Sequence, residues 1–113
     1  MSRIPFQLPD VGLREIRGKI FLDEEFLVFE VEDALMGEFD KEFQVIKVEP
    51  KALEEITLNR GFFRDQLLIR PKQHDLWRAM PGKYGTELML KIWRKYRGPV
   101  EALVEEVKRR KRR

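Results

Sequence analysis

The pattern that most limits what this 113-residue chain can become lies in residues 86–107, where an alternating strand turns directly into a helical stripe. In Thr86–Trp93, Leu88, Leu90 and Ile92 fall on one side, and Glu87, Met89, Lys91 and Trp93 on the other. That period of two sends successive side chains to opposite faces of a strand. After Gly98-Pro99, the residues Val100, Leu103, Val104 and Val107 recur at i, i+3, i+4 and i+7, the spacing of one helical face. Gly98 is expected at the N-cap and Pro99 at the first helical position, where its missing N–H costs nothing, so the helix is predicted over 99–110. Glu101, Glu105 and Glu106 lie toward its positive end, basic residues crowd its negative end, and Glu105–Arg109 and Glu106–Arg110 are favourable i,i+4 pairs. The stripe has to dock against the open end of the preceding strands.

Everything upstream reads as short strands. Residues 1–12 form an extended arm (Ile4-Pro5-Phe6-Gln7-Leu8-Pro9), because each proline pushes its predecessor toward β or polyproline geometry. Leu13–Phe21 and Glu25–Glu32 pair around the polar turn Asp23-Glu24. Leu27, Phe29 and Val31 face one way and Phe26 and Val28 the other, as in a strand covered on both sides. Asp33–Lys41 breaks the alternation and reads as the long loop. Phe43–Val48 alternates again, Lys51–Arg60 fits either a helical turn or a strand, Gln66–Arg70 is a strand, and Asp75–Met80 a short one. With Thr86–Trp93 that makes seven strands at the spacing of sandwiches and barrels. The fold class expected is mainly β: one domain, a split barrel of about seven antiparallel strands over residues 13–97, capped by one C-terminal amphipathic helix.

Composition excludes whole classes of chemistry. With no cysteine there are no disulfides, thiolate metal sites or thiol nucleophiles. The opening residues hold no secretory apolar core, and no apolar run approaches a membrane span, so a cytoplasmic protein is expected. The net charge of +3 misleads until it is divided. The run Lys108–Arg113 carries six positive charges, leaving 17 basic against 20 acidic residues in the body. A charged fraction of 38% with one Asn and one Ser is common in heat-adapted proteins, where ion pairs replace thermolabile residues.

Three stretches resemble the pleckstrin-homology-like group, in particular its bacterial and GRAM-like branches. GKIFLDEEFLVFEVE (Gly18–Glu32) is similar to a first hairpin, FQVIKVEPKALEEITLNRGFFRDQLLIR (Phe43–Arg70) to the middle segment, and ELMLKIWRKYRGPVEALVEEV (Glu87–Val107) to the last strand and helix. The resemblance implies a bent, split barrel with one end plugged by the helix. It departs at one place. Phosphoinositide-binding members carry basic residues in the first strand–strand loop, whereas Leu22-Asp23-Glu24-Glu25 is acidic and would repel an anionic headgroup, so no phosphoinositide site is expected.

Catalytic groups are scarce. His74 is the only histidine, in a polar turn, and Ser2 the only serine, at the terminus. No glycine pattern suggests a phosphate loop or dinucleotide site. Asp23-Glu24-Glu25 could offer oxygen ligands to a hard cation, but a solvated turn explains it as well. No enzymatic activity, cofactor or metal is therefore expected. Two constellations stand out. In Arg60-Gly61-Phe62-Phe63-Arg64, adjacent phenylalanines of an alternating strand point to opposite faces, and Phe and Arg are enriched at interfaces. Trp77, Met89 and Trp93 pose the same question: the apolar arm (Ile4, Phe6, Leu8) covers them, or they form a sticky patch. The second constellation, Lys108, Arg109, Arg110, Lys111, Arg112 and Arg113, could hold anionic lipid or nucleic acid weakly, or simply cap the helix. The expectation is a non-catalytic interaction module that binds protein or self-associates through Arg60, Phe62, Phe63, Arg64, Trp77, Met89 and Trp93. The alternative is a membrane-surface or nucleic-acid adaptor working through the basic tail.

Overall fold

The structure, a computed structural model, describes residues 2–8, 14–35, 42–73, 75–78 and 87–112. Its strands are β1 (Ile4–Gln7), β2 (Arg14–Leu22), β3 (Leu27–Leu35), β4 (Glu42–Val48), β5 (Leu53–Asn59), β6 (Arg64–Pro71) and β7 (Leu88–Trp93), followed by helix α1 (Arg97–Lys111). They form one antiparallel sheet in the order β4-β3-β2-β1-β7-β6-β5. Two meanders, β1–β4 and β5–β7, are thus joined where β1 meets β7, at the pair Gln7↔Lys91. β4 and β5 are the two edges, and between them runs a short 3₁₀ turn, Pro50–Ala52. Helix α1 packs on β5 and on this turn, at the opening of the split barrel.

The core follows from alternation. Leu88, Leu90 and Ile92 of β7 are buried, as are Leu27, Phe29 and Val31 of β3 and Leu67 and Ile69 of β6. From the helix, Val100, Leu103, Val104 and Val107 join the same cluster, so the predicted stripe is the plug. Val28 is buried too, on the opposite face of β3 from the core, which bears out in part a strand covered on both sides.

Three expectations need correction. The arm is a strand: Ile4 and Phe6 pair with Ile20 and Gly18 of β2 and face the core, as does Leu8. The prolines do not prevent this, because Pro5 takes its place in a short strand whose pairing with β7 is confined to one end. A side chain at Gly18 would collide with the Glu30 carbonyl of β3 and crowd the Phe6 ring, so glycine is what lets β3 lie so close to β2 and leaves room for Phe6 of β1. Second, Asp75–Met80 is not a strand. Residues 75–78 form a turn, closed by Leu76 N–H donating to Gln73 O and Arg78 N–H to Asp75 O. Residues 79 and 80, and His74, lie outside the described residues. The count of seven holds only because the arm replaces this segment. Third, the helix starts at Arg97, with Tyr96 at the N-cap and Gly98 inside the first turn. β3 also continues to Leu35, into what read as the long loop.

The first correction reassigns a loop. Asp23-Glu24 turns between β2 and β3, so the acidic turn is not the first strand–strand connection. It is built from its own side chain: Asp23 Oδ1 accepts from Glu25 N–H at 2.8 Å and Phe26 N–H at 2.6 Å. Those two donors hold the Asp23 carboxyl below its ordinary value.

Two substitutions test the plug in urea denaturation. Leu103 has no exposed surface, and Leu103→Ala is expected to cost about 3 kcal/mol through lost burial and an unfilled cavity. A Cβ at Gly98 meets nothing within 4 Å apart from its chain neighbours, but Pro99 follows and its Cδ crowds a Cβ on a helical residue before it. Gly98→Ala is therefore expected to change stability by less than about 0.5 kcal/mol, the entropy gain and the crowding offsetting each other.

Candidate docking site at the β5–β6 hairpin

The alternation of β6 places Asp65, Leu67 and Ile69 on the core face, and Asp65 is 0% exposed. A carboxylate taken out of water needs charged or hydrogen-bonding partners. Asp65 has three. Arg97 at the start of α1 donates Nε to Oδ2 at 2.8 Å and Nη2 to Oδ1 at 2.7 Å. Gly61 donates its backbone N–H to Oδ1 at 3.0 Å. Arg97 Nη2 also donates to the Gly61 carbonyl at 3.0 Å. The four-residue tip Arg60–Phe63 is thereby tied to the helix. Arg97 and the Gly61 N–H hold the Asp65 carboxyl below its ordinary value, and burial opposes them. Gly61 is required because a Cβ there would strike the Arg64 carbonyl.

With the backbone pinned, the two phenylalanines point outward. Phe62 is 75% and Phe63 70% exposed, their rings edge to face with centroids 4.6 Å apart. β6 and β7 are in register with Arg64 opposite Trp93, and the Arg64 guanidinium lies 4.2 Å from the centroid of the Trp93 ring. Trp93 is still 45% exposed. Arg94 N–H donates to the Phe63 carbonyl at 3.1 Å, drawing the chain after β7 against the tip. Phe63, Trp93, Arg94 and Lys95 line a recess of 280 Å³. Arg60 is paired with Glu101 at 2.6 Å. Arg64, Arg94 and Lys95 make no ion pair among the described residues.

Five of the seven residues expected to bind protein therefore come together: Arg60, Phe62, Phe63, Arg64 and Trp93. The other two do not. Trp77 is buried, 3% exposed, and stacks edge to face on Phe29, itself edge to face with Phe6, so it is a core residue and not part of a surface. Met89 is half-buried on the outer face of β7 opposite Leu68. It lies four residues, about 13 Å, from Trp93 along the strand. The arm's Ile4, Phe6 and Leu8 face the core, the opposite side of the sheet from Met89 and Trp93, and so do not cover them. Arg94 and Lys95 were not anticipated, and neither was the Asp65–Arg97 pair.

The basic run closes the helix, as its position at the negative end implies: Lys108–Lys111 form the last turn of α1, which runs one residue past the expected 110. Arg109 and Arg110 both pair with Glu106, keeping its carboxyl below its ordinary value. Arg110 Nη1 donates to the Asp23 carbonyl and Lys111 Nζ to the Glu54 carbonyl, each at 2.7 Å. These contacts fasten the helix end to the β2–β3 turn and to β5. Lys108 and Arg112 are exposed, and Arg113 lies outside the described residues.

Among the described residues no three His, Asp or Glu side chains stand together as a metal site would need, and no helix is long and apolar enough to cross a membrane. Comparison with protein families, with curated proteins and with solved structures finds no significant match.

Acid titration tests the pin. The folded-state pKa of Asp65 lies below the 3.8 of a free carboxyl, so its stabilisation is complete above that value and is lost as pH falls from there through the lowered one. Asp65→Asn is expected to cost about 3 kcal/mol at neutral pH, the lower end for breaking a buried pair because Arg97 is partly exposed. It should also flatten the decline in stability below about pH 4. Chemical denaturation across pH checks both.

Proposed function

We propose that this chain is a non-catalytic docking module of pleckstrin-homology-like plan, and that it holds a partner protein at the tip formed by Phe62, Phe63 and Trp93. The strand order, with a meander closed through β1 and β7 and a helix seated at the opening, supports the PH-like plan. One observation supports the docking role above others. Two phenylalanines stand in solvent on a hairpin whose backbone is fixed by a buried ion pair, beside a third exposed aromatic. A soluble chain seldom leaves large side chains clustered in water without use, and a rigid anchor loses little entropy on binding. Aromatic and arginine side chains are also the usual energetic centres of protein interfaces.

Adhesion through the carboxyl-terminal cations has weaker support, since Arg109, Arg110 and Lys111 are engaged within the fold. Tip-to-tip pairing of two copies is disfavoured because it would bring Arg64, Arg94 and Lys95 of each copy against those of the other.

A photoreactive phenylalanine analogue at position 63 reports what lies against the tip in cells. Discrete protein adducts are expected from position 63, and none when the analogue replaces exposed Lys19 on β2. Adducts with lipid or nucleic acid only, or none, would contradict the proposal.

A further inference from the structure

The docking reading leaves the partner's chemistry open, and the surroundings of the tip narrow it. Arg64, Arg94 and Lys95 sit beside the exposed rings without a carboxylate partner among the described residues, whereas the nearby Arg60 and Arg97 are neutralised by Glu101 and Asp65. The tip thus carries an uncompensated positive charge of about three around an apolar centre, on a body whose other charges balance closely. Shape adds a second constraint. The recess between Phe63 and Trp93 has 280 Å³, below the roughly 300–1,000 Å³ of small-molecule pockets. It has room for one large side chain. Two aromatic and two cationic side chains line it: Phe63, Trp93, Arg94 and Lys95.

Resting on the docking reading, we infer that the occupant is an acidic segment of a partner protein, inserting one aromatic or branched aliphatic side chain between Phe63 and Trp93 while its flanking carboxylates meet Arg64, Arg94 and Lys95. Two other anionic partners fit less well. Single-stranded nucleic acid stacks its bases on open aromatic faces. Here Phe62 and Phe63 are perpendicular at 87°, and one face of Trp93 is taken by Arg64. A bilayer would receive Phe62 and Phe63, but it makes no use of a recess.

Peptide arrays test this. One set of nonapeptides carries a central Phe, Trp, Tyr or Leu among Asp and Glu residues, and a matched set has Asn and Gln in their place. Binding is followed by the fluorescence anisotropy of a dye attached to each peptide, which serves every variant and every central residue. With peptides that lack Trp, a blue shift also reports cover over exposed Trp93, since Trp77 is buried. Some acidic peptides are expected to bind at least about tenfold more tightly than their neutral counterparts, less tightly as salt rises, and at least about tenfold less tightly to the Arg94→Glu/Lys95→Glu variant. A separate Trp93→Ala variant, checked for native circular dichroism, should lose the preference for a large central side chain. If acidic and neutral peptides bind alike, or none bind, the inference fails while protein adducts from position 63 would keep the docking reading intact. If phosphatidylserine vesicles or oligodeoxythymidine bind through the tip and peptides do not, both fail. Light-scattering evidence that the chain's own copies occupy the tip would overturn the inference as well.

Discussion

A carboxylate with no exposed surface decides how this molecule presents itself. Asp65 occupies a core-facing position at the start of β6, where an aliphatic residue would continue the pattern of Leu67 and Ile69. Its burial is tolerated because Arg97 supplies two aligned donors and Gly61 a third. A bidentate guanidinium–carboxylate pair is stronger and more directional than an ammonium contact would be. The consequence is geometric. The hairpin tip, the end of β7 and the first turn of the helix are held in one arrangement, and the exposure of Phe62, Phe63 and Trp93 follows from it.

The helix is anchored at both ends by different means. Arg97 fixes its start to the β5–β6 hairpin, and Arg110 and Lys111 fix its end to carbonyls of Asp23 and Glu54. Between them, the valine and leucine stripe packs on β5 and on the Pro50–Ala52 turn and joins the core. An open barrel has an unfilled interior, and one amphipathic helix relieves much of that. Cations that would suit an anionic ligand thus serve the fold at one end of α1. At the other end, Arg64 lies against Trp93, Arg94 donates to the Phe62 carbonyl and Lys95 lies near Tyr96, yet none of the three meets a carboxylate among the described residues.

Much of the fold was legible in the residues. The alternation of Leu88, Leu90 and Ile92 and the spacing of Val100, Leu103, Val104 and Val107 reported their burial faithfully, because period and packing agree there. Short segments were harder. Ile4-Pro5-Phe6 looked like an arm because proline suppresses the strand signal, yet four paired residues suffice once Ile4 and Phe6 face the core. Trp77 looked like a surface candidate because its neighbours suggested a strand that does not form. The exposed cluster was partly visible in the adjacency of Phe62 and Phe63. Its rigidity has a signal in the sequence: Asp65 lies two residues before Leu67, in the core-facing register, and a charge there demands a distant partner. Which cation supplies it depends on how β6 meets α1, and local pattern does not carry that information.

Presentation of Phe62, Phe63 and Trp93 depends on the tip being a fixed surface and not a loose loop. Backbone amide order parameters for Gly61–Arg64, measured by NMR relaxation at neutral pH, test this most directly. Values near 0.85, like those of regular structure, are predicted; values below about 0.6, as in flexible loops, would contradict it.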